Sequence, residues 1–245
     1  MTLFILSVNI LLFLAMEISG LLGLGNMKYV IFGAQYGPLL AMGDWFRIVT
    51  AIFVHGGILH LFFNMYALYY LGTIVEHLYG PWRYIVIYAV SGVVGNLISL
   101  MFYYDAIVIG ASGALFGLAG IAVVAGFKSD TSYYMRGISV SLIPMVIFNI
   151  IYGFIPGSHI NNAAHLGGFA TGVLLGYLIP VNFYSAYLSP VDLLKQLFSK
   201  QVWTNPWFRK QRAESFWAIA ALTIIFIFIL SFVLLVASDV HLIKR

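Results

Sequence analysis

A serine and a histidine stand at the starts of two separate apolar stretches of this 245-residue chain. Ser112 lies in the string GASGALFG (110–117), and His165 lies in NAAHLGG (162–168). A serine hydroxyl is a weak nucleophile until a neighbouring base removes its proton, and histidine is the side chain best suited to that task near neutral pH. The two residues therefore predict acyl transfer, with Ser112 as the nucleophile and His165 as the general base.

Acyl transfer also needs hydrogen-bond donors for the oxyanion of the tetrahedral intermediate. His60 and Asn64, in HGGILHLFFN (55–64), are four residues apart and therefore lie on one face of a helix. A ring N–H of His60, the side-chain amide of Asn64 and the backbone N–H of Ser112 supply suitable donors. The chain has eight acidic residues, and the sequence position of each gives no reason to place its carboxylate beside His165. We therefore expect a Ser–His dyad rather than a triad, acting without cofactor or metal.

The composition places these residues in a membrane protein. Hydrophobic residues make up 62% of the chain, charged residues only 8%, and the mean hydropathy is +0.99. The apolar runs are continuous, which predicts an all-α, polytopic helical bundle surrounded by membrane lipid. The net charge of +4 is spread over loops, so nucleic acid is not an expected partner. The absence of cysteine excludes disulfides, thiolate catalysis and cysteine metal sites.

Seven apolar segments have roughly the length of a spanning helix. They cover residues 3–24, 50–75, 83–104, 111–127, 137–155, 163–180 and 215–237. This layout predicts a six-helix core (1–181), a polar cytoplasmic linker (182–214), and a seventh helix with a short outside tail (215–245). Residues 25–46 form a long loop that is apolar enough to lie on or in the membrane.

The distribution of basic residues predicts the orientation. With the N-terminus in the cytoplasm, eight Lys and Arg residues fall inside and four fall outside, as the positive-inside rule favours. Seven spans then place the C-terminus outside. We expect a cell-membrane protein whose active site opens to the outside.

The polar residues also share one depth in the predicted bundle. In the predicted orientation, the cytoplasmic end of the span is 16 residues from His60, 16 residues from Ser112 and 15 residues from His165. At 1.5 Å per residue, each lies about 22–24 Å above the cytoplasmic boundary, below the outer surface of a core about 30 Å thick. Glycines at four-residue spacing follow both Ser112 and His165, and such stripes let membrane helices approach closely. Close packing of these two spans would bring the His165 ring to the Ser112 hydroxyl.

Four stretches of the sequence resemble the rhomboid family of intramembrane serine proteases. They are DWFRIVTAIFVHGGILHLFFNMYAL (44–68), LGTIVEHLYGPWRYI (71–85), GASGALFGL (110–118) and AAHLGGFATG (163–172). The six-plus-one layout is similar to that of the rhomboid subgroup with an extra C-terminal helix. The resemblance implies cleavage of a peptide bond in or near the transmembrane segment of single-span proteins, with small residues at the cleavage point.

The same resemblance implies roles for individual residues. Ser112 and His165 are the catalytic pair, and His60 and Asn64 line the oxyanion site. It also implies supporting residues. Arg47 belongs to the first loop, Glu76 ties helix ends together, and Gly110 and Gly113 flank the nucleophile. Phe116 packs on the histidine ring, and Gly168 allows close helix packing. The sequence departs from the family before His165, where many relatives carry Asp near Asn161 or Asn162.

Two rival functions stay open at this stage. The first is a catalytically idle rhomboid-like protein that binds membrane clients, although such proteins typically lack the serine or the histidine. The second is a channel or transporter, which would distribute polar residues over several depths. Ser112 taken alone fits a packing role between helices. We interpret Asn96 and Asn149 as interhelical hydrogen-bond formers and His55 as a loop or interfacial residue.

Overall fold

The computed structural model describes residues 1–128, 132–158 and 160–181. All of these residues belong to the first of two compact units of the chain, Met1–Phe183. The predicted linker (182–214), the predicted seventh helix and His159 lie outside the described residues.

Helices form nearly all of the regular structure in the described part of the chain. The short helices of the first loop are α2 (Met27–Ile31), α3 (Gly37–Ala41) and α4 (Arg47–Thr50). The long helices are α1 (Thr2–Ser19), α5 (Ile58–Tyr79), α6 (Pro81–Leu100), α7 (Ser112–Gly126), α8 (Tyr133–Gly153) and α9 (Asn162–Leu178). A π-helical turn, Gly20–Leu24, extends α1, and a 3₁₀ turn, Ala51–Phe53, follows α4.

Four of the described helices are long and apolar enough to cross a membrane. They are α1 with its π-helical turn (Thr2–Leu24), α5, α6 and α8. Helix α7 is equally apolar but has only 15 residues. The prediction of an all-α, polytopic membrane bundle is therefore confirmed.

Turn residues shift the helix bounds away from the predicted spans. The segment predicted as 50–75 begins its long helix only at Ile58, because the chain bends at Gly56–Gly57 after the 3₁₀ turn. Gly80, with a φ of +80°, ends α5, and Pro81 then occupies the first position of α6, where its missing N–H costs nothing. Ser132 caps α8 by accepting a hydrogen bond from the backbone N–H of Met135, so α8 starts before the predicted residue 137.

The first loop is held together from within by one buried arginine. Arg47 Nη1 donates to the carbonyl oxygens of Val30 (2.6 Å) and Ala34 (3.3 Å), and Nε donates to Asp44 (2.9 Å). These bonds connect α4 to the end of α2 and to the turn that follows it. The placement of Arg47 in a folded first loop is thereby confirmed.

Asn96 attaches this loop to the helical bundle. Its Nδ2 donates to the carbonyl oxygen of Ile48 at 2.7 Å, and its own backbone carbonyl accepts from Gln35 Nε2 at 3.1 Å. The interpretation of Asn96 as an interhelical hydrogen-bond former is confirmed.

Charged groups close the opposite end of the bundle. The carboxylate of Glu76 accepts from the backbone N–H and hydroxyl of Thr2, both at 2.8 Å, which ties the start of α1 to the end of α5 as expected. Arg83 and Lys128 donate to the carbonyl oxygens of Pro180 and Ile179 just beyond α9. Cations at a helix C-terminus also complement its dipole.

Candidate active site

Glycines bring the backbones of α7 and α9 into contact. A methyl group on Gly168 would overlap the carbonyl oxygen of Gly113, and one on Gly172 would overlap that of Gly117. Only residues without a side chain permit such an approach. The predicted close packing of the two helices is confirmed, and it occurs within one or two turns of Ser112 and His165.

Helix α7 is too short to cross the membrane by itself. Its 15 residues span about 22 Å, against a hydrocarbon core about 30 Å thick. Ser112 is its first residue, His60 is the third residue of α5, and His165 is the fourth residue of α9. The three side chains therefore lie in the first turns of three helices that run in the same direction.

The ring of His165 is held by an aromatic neighbour. It stacks on Phe116 with ring centroids 4.1 Å apart and an interplanar angle of 14°. The side chain is buried, and Nδ1 is enclosed without a hydrogen-bond partner in the described part of the chain. The expected packing of Phe116 against the histidine is confirmed.

Ser112 and His165 both belong to the described part of the chain and line the same cavity, but no hydrogen bond joins their side chains. The expected Ser–His hydrogen bond is therefore not observed. Catalytic hydrogen bonds are often long before substrate binds and shorten in the reacting complex.

The hydrogen bonds of His60 determine which ring nitrogen carries its proton. The backbone N–H of Gly56 donates to Nδ1 at 3.3 Å, so Nδ1 is the acceptor and Nε2 is protonated in the neutral ring. A methyl group on Gly110 would lie 2.7 Å from Nε2, and Gly110 has a φ of +118°. Both facts favour glycine at position 110. The Nε2–H donor is thus placed beside the turn that leads into Ser112.

Asn64 contributes a second donor to the same cavity. Its Nδ2 donates one hydrogen to the carbonyl oxygen of His60 at 2.8 Å, which fixes the amide orientation. The other Nδ2 hydrogen is not used by this bond.

His55 packs behind His60 and is completely buried. The two rings are 5.1 Å apart, and His55 Nδ1 lies 3.2 Å from the carbonyl oxygen of Phe53. Burial, followed by the proximity of His60, lowers the pKa of His55 from 6.5 to about 3. His55 is therefore a neutral, buried loop residue that supports His60 rather than an interfacial one.

A cavity of about 730 Å³ brings the candidate catalytic and oxyanion residues together. The residues that reach it from α5, α7 and α9 include His60, Asn64, Ser112, Phe116 and His165. Helix α8 also lines the cavity, through Met145, Phe148, Asn149 and Tyr152. The structure thus brings every predicted catalytic and oxyanion residue to a single cavity between α5 and α8. Among the described residues, no three metal-ligating side chains come together.

Comparison with known proteins decides the family. The Rhomboid domain matches residues 42–181, more than half of the chain. This chain belongs to the rhomboid family. It is therefore a multi-pass membrane protein of a family that includes intramembrane serine proteases acting on transmembrane substrates.

Curated relatives of the chain include rhomboid proteases. It is 38% identical over 170 residues to "Rhomboid protease GluP" of Bacillus subtilis, covering 68% of this chain and 32% of that protein. It is 34% identical over 148 residues to "RHOMBOID-like protein 7" of Arabidopsis thaliana, covering 60% and 47%. "Putative rhomboid protease YdcA" of Bacillus subtilis is 34% identical over 141 residues, covering 57% and 69%. The chain thus spans less than half the length of the first two relatives.

The segment before His165 uses asparagine where many rhomboids carry aspartate. Asn161 Oδ1 accepts from the backbone N–H of Ala164 and so caps α9, while its Nδ2 donates to Ser99 Oγ. Asn162 Nδ2 donates to the carbonyl oxygen of Ile150 at 3.0 Å and connects α9 to α8. The two asparagines thus cap α9 and connect its start to α6 and α8.

Sequence reasoning on this rhomboid missed the cavity wall that α8 provides. Met145, Phe148, Asn149 and Tyr152 follow the spacing i, i+3, i+4, i+7, which places them on one helix face. In a membrane helix that is apolar all round, this spacing does not distinguish a cavity from lipid. Asn149, the polar member of the set, was the available signal.

Proposed function

We propose that this rhomboid is an intramembrane serine endopeptidase that cleaves a peptide bond in or near the transmembrane segment of single-span membrane proteins. The observation that carries the proposal is the convergence of Ser112, His165, His60 and Asn64 on one cavity in the first turns of three helices. The rhomboid proteases among its relatives support the same activity.

The chemistry follows from the placement of the side chains. His165 accepts the proton of Ser112 Oγ as the oxygen attacks the substrate carbonyl carbon. His60 Nε2–H, the remaining Nδ2 hydrogen of Asn64 and the Ser112 backbone N–H donate to the resulting oxyanion. His165 then protonates the departing amine, and water hydrolyses the acyl-enzyme with His165 again acting as base.

A dyad is favoured over a triad by the surroundings of His165. Its Nδ1 is enclosed, and no carboxylate or other acceptor binds it among the described residues. The stacked Phe116 ring orients the imidazole, which is the task that an aspartate performs in a triad.

The cavity also favours a substrate that enters from the membrane. A transmembrane helix hides its carbonyl groups in i→i−4 hydrogen bonds, so the scissile stretch must unwind before Ser112 can attack. Small or helix-breaking residues ease this step. We propose that the substrate enters between α5 and α8, which face each other across the cavity.

The proposed arrangement in the cell has the N-terminus in the cytoplasm and the cavity opening to the outside. It has residues 1–181 as the catalytic core, 182–214 as a cytoplasmic linker and 215–245 as the seventh helix with an outside tail. The cell membrane is the proposed location.

Cleavage of a model single-span substrate in detergent tests the activity. The wild type should produce a defined fragment, and Ser112→Ala and His165→Ala should lose at least about 10³-fold in rate. A fluorophosphonate probe should label the wild type but not Ser112→Ala. If the folded wild type neither cleaves nor reacts, the chain is instead a catalytically idle protein that binds membrane clients.

A further inference from the structure

Asn149 and Asn96 are both interior residues of spanning helices, but their side-chain amides have different partners. Asn96 of α6 is buried and donates to a different element, at Ile48. Asn149 of α8 donates only to the carbonyl oxygen of Met145 in its own helix, at 3.1 Å. Its expected interhelical hydrogen bond is absent from the described part of the chain. The amide therefore retains one N–H donor and the Oδ1 acceptor for another partner.

Asn149 lies at about the same level of the bundle as the catalytic residues. Asn162 Nδ2 binds the carbonyl oxygen of Ile150, which sets the level of α8 relative to α9. His165 follows Asn162 by three residues, and Asn149 directly precedes Ile150, so both lie within about one helical turn of this contact. Asn149 of α8 and Ser112 of α7 line the same cavity.

The substrate that this cavity is proposed to take brings unpaired polar groups with it. Unwinding a membrane helix breaks main-chain hydrogen bonds, and each unpaired group costs several kcal/mol in apolar surroundings. An asparagine amide has one side that accepts and one that donates, as a peptide group does. Of the other α8 residues that line the cavity, Met145 and Phe148 contribute apolar surface, and Tyr152 contributes a ring with one hydroxyl group.

We propose that Asn149 is a substrate-binding residue that pairs with a main-chain peptide group of the unwound substrate segment, from the α8 side of the cavity that Ser112 lines. This inference rests on the proposed function, because it assumes a transmembrane substrate that unwinds in the cavity. It makes Asn149 a determinant of substrate binding and not of the chemical step.

Binding and cleavage of a synthetic single-span peptide in lipid nanodiscs test the inference separately. Binding is measured with Ser112→Ala, with and without Asn149→Leu, by energy transfer between labelled protein and labelled peptide. Asn149→Leu should weaken binding about three- to tenfold, as expected for one hydrogen bond. In the Ser112-containing enzyme it should raise KM by a similar factor, while fluorophosphonate labelling of Ser112 changes less than about twofold.

The control is Ser141→Ala on the same helix. Ser141 Oγ also donates to a carbonyl of its own helix, Ile138, but Ser141 does not line the cavity. Its loss should leave binding and KM unchanged. An equal effect of both variants, or no effect of Asn149→Leu, would overturn the inference.

Backbone substitution in the peptide identifies the group that Asn149 binds. Replacing single amides near the scissile bond by esters removes one N–H and weakens one carbonyl acceptor. At the position that Asn149 contacts, the ester should weaken binding to the protein that retains Asn149. The same ester should weaken binding less when the protein also carries Asn149→Leu. Equal penalties at every position would exclude a main-chain contact. A wild type that cleaves nothing would refute the proposed protease, whereas the binding measurement would still decide the role of Asn149.

Discussion

At the scale of single residues, Phe116 sets the plane of the general base. Its ring stacks on His165 at 4.1 Å, and no other ring contacts that histidine in the described residues. We expect Phe116→Leu to lower kcat about tenfold or more, because a freely turning imidazole is aligned with Ser112 for less of the time. Phe116→Tyr keeps the stacked ring and should remain within about threefold of the wild type. Initial rates on the model substrate measure both, and equal losses in the two variants would contradict the stacking role.

His55 should make folding sensitive to acid. Its pKa is about 3 in the folded protein and 6.5 in an unfolded chain, so the unfolded state binds the extra proton between these values. The free energy of unfolding should therefore fall as the pH drops below about 6.5, by up to about 1.4 kcal/mol per pH unit.

The matched variant for this prediction is His55→Gln, which cannot take up that proton. Denaturation in detergent at several pH values between 4 and 8 should show a shallower decline for the variant and parallel behaviour above about pH 7. Identical pH slopes for the two proteins would show that His55 is not buried in its neutral form.

At the scale of elements, the contact between α7 and α9 depends on glycine. A methyl group on Gly168 would meet the backbone oxygen of Gly113, which cannot move without displacing α7. We expect Gly168→Ala to destabilise the protein by about 1–3 kcal/mol and to abolish most activity, because Ser112 and His165 separate with their helices.

Gly137→Ala is the control for that substitution. A methyl group at Gly137 in α8 would have no atom within 4 Å, and alanine favours a helix over glycine by up to about 1 kcal/mol. Thermal unfolding and cleavage assays should show no loss for this variant. Similar losses in both variants would mean that any alanine is harmful.

Helices α5 and α8 should move apart to admit a substrate. Tyr66 lies eight residues from the start of α5 and Met145 lies eight residues from the end of α8, so the two cavity-lining residues have matching depths. The chain has no cysteine, so Tyr66→Cys with Met145→Cys creates a unique pair for a bismaleimide. Linking them should block cleavage of a transmembrane substrate while preserving fluorophosphonate labelling. The reagent should leave each single-cysteine variant active, and full activity of the linked protein would exclude this entry route.

At the scale of the whole molecule, two basic residues, Arg83 and Lys128, lie at the opposite end of the bundle from the catalytic residues. Arg83 and Lys128 donate to carbonyls beyond the end of α9, whereas Ser112 and His165 occupy the starts of α7 and α9. In the proposed orientation, which follows the positive-inside rule, the end with Arg83 and Lys128 faces the cytoplasm, and the first loop and the cavity mouth face outside.

Cysteine labelling in intact cells tests this orientation. Asn26→Cys, in the exposed first loop, should react with a membrane-impermeant maleimide, and His77→Cys, in the last turn of α5, should react only after permeabilisation. A tag after Arg245 should be accessible from outside if the seventh helix spans the membrane. The reverse pattern for the two cysteines would invert the proposed topology.

The sequence by itself determined the class of fold and the identity of the candidate site. Continuous apolar runs can satisfy their backbone only as helices in lipid, so composition sufficed for an all-α membrane bundle. Polar residues in such runs are costly, so Ser112, His165, His60 and Asn64 were conspicuous without coordinates. The glycine spacing also sufficed to predict which helices meet.

Only the tertiary structure decided matters that depend on which face meets which neighbour. Asn96 and Asn149 look alike in sequence, yet one binds across an interface and the other faces a cavity. The tautomer of His60 follows from a bond to Gly56, and the burial of His55 follows from a folded loop that hydropathy alone leaves open. When a helix is apolar on nearly every face, its hydrophobic periodicity does not show which face meets which neighbour. Only the packing of the helices in the folded protein determines this.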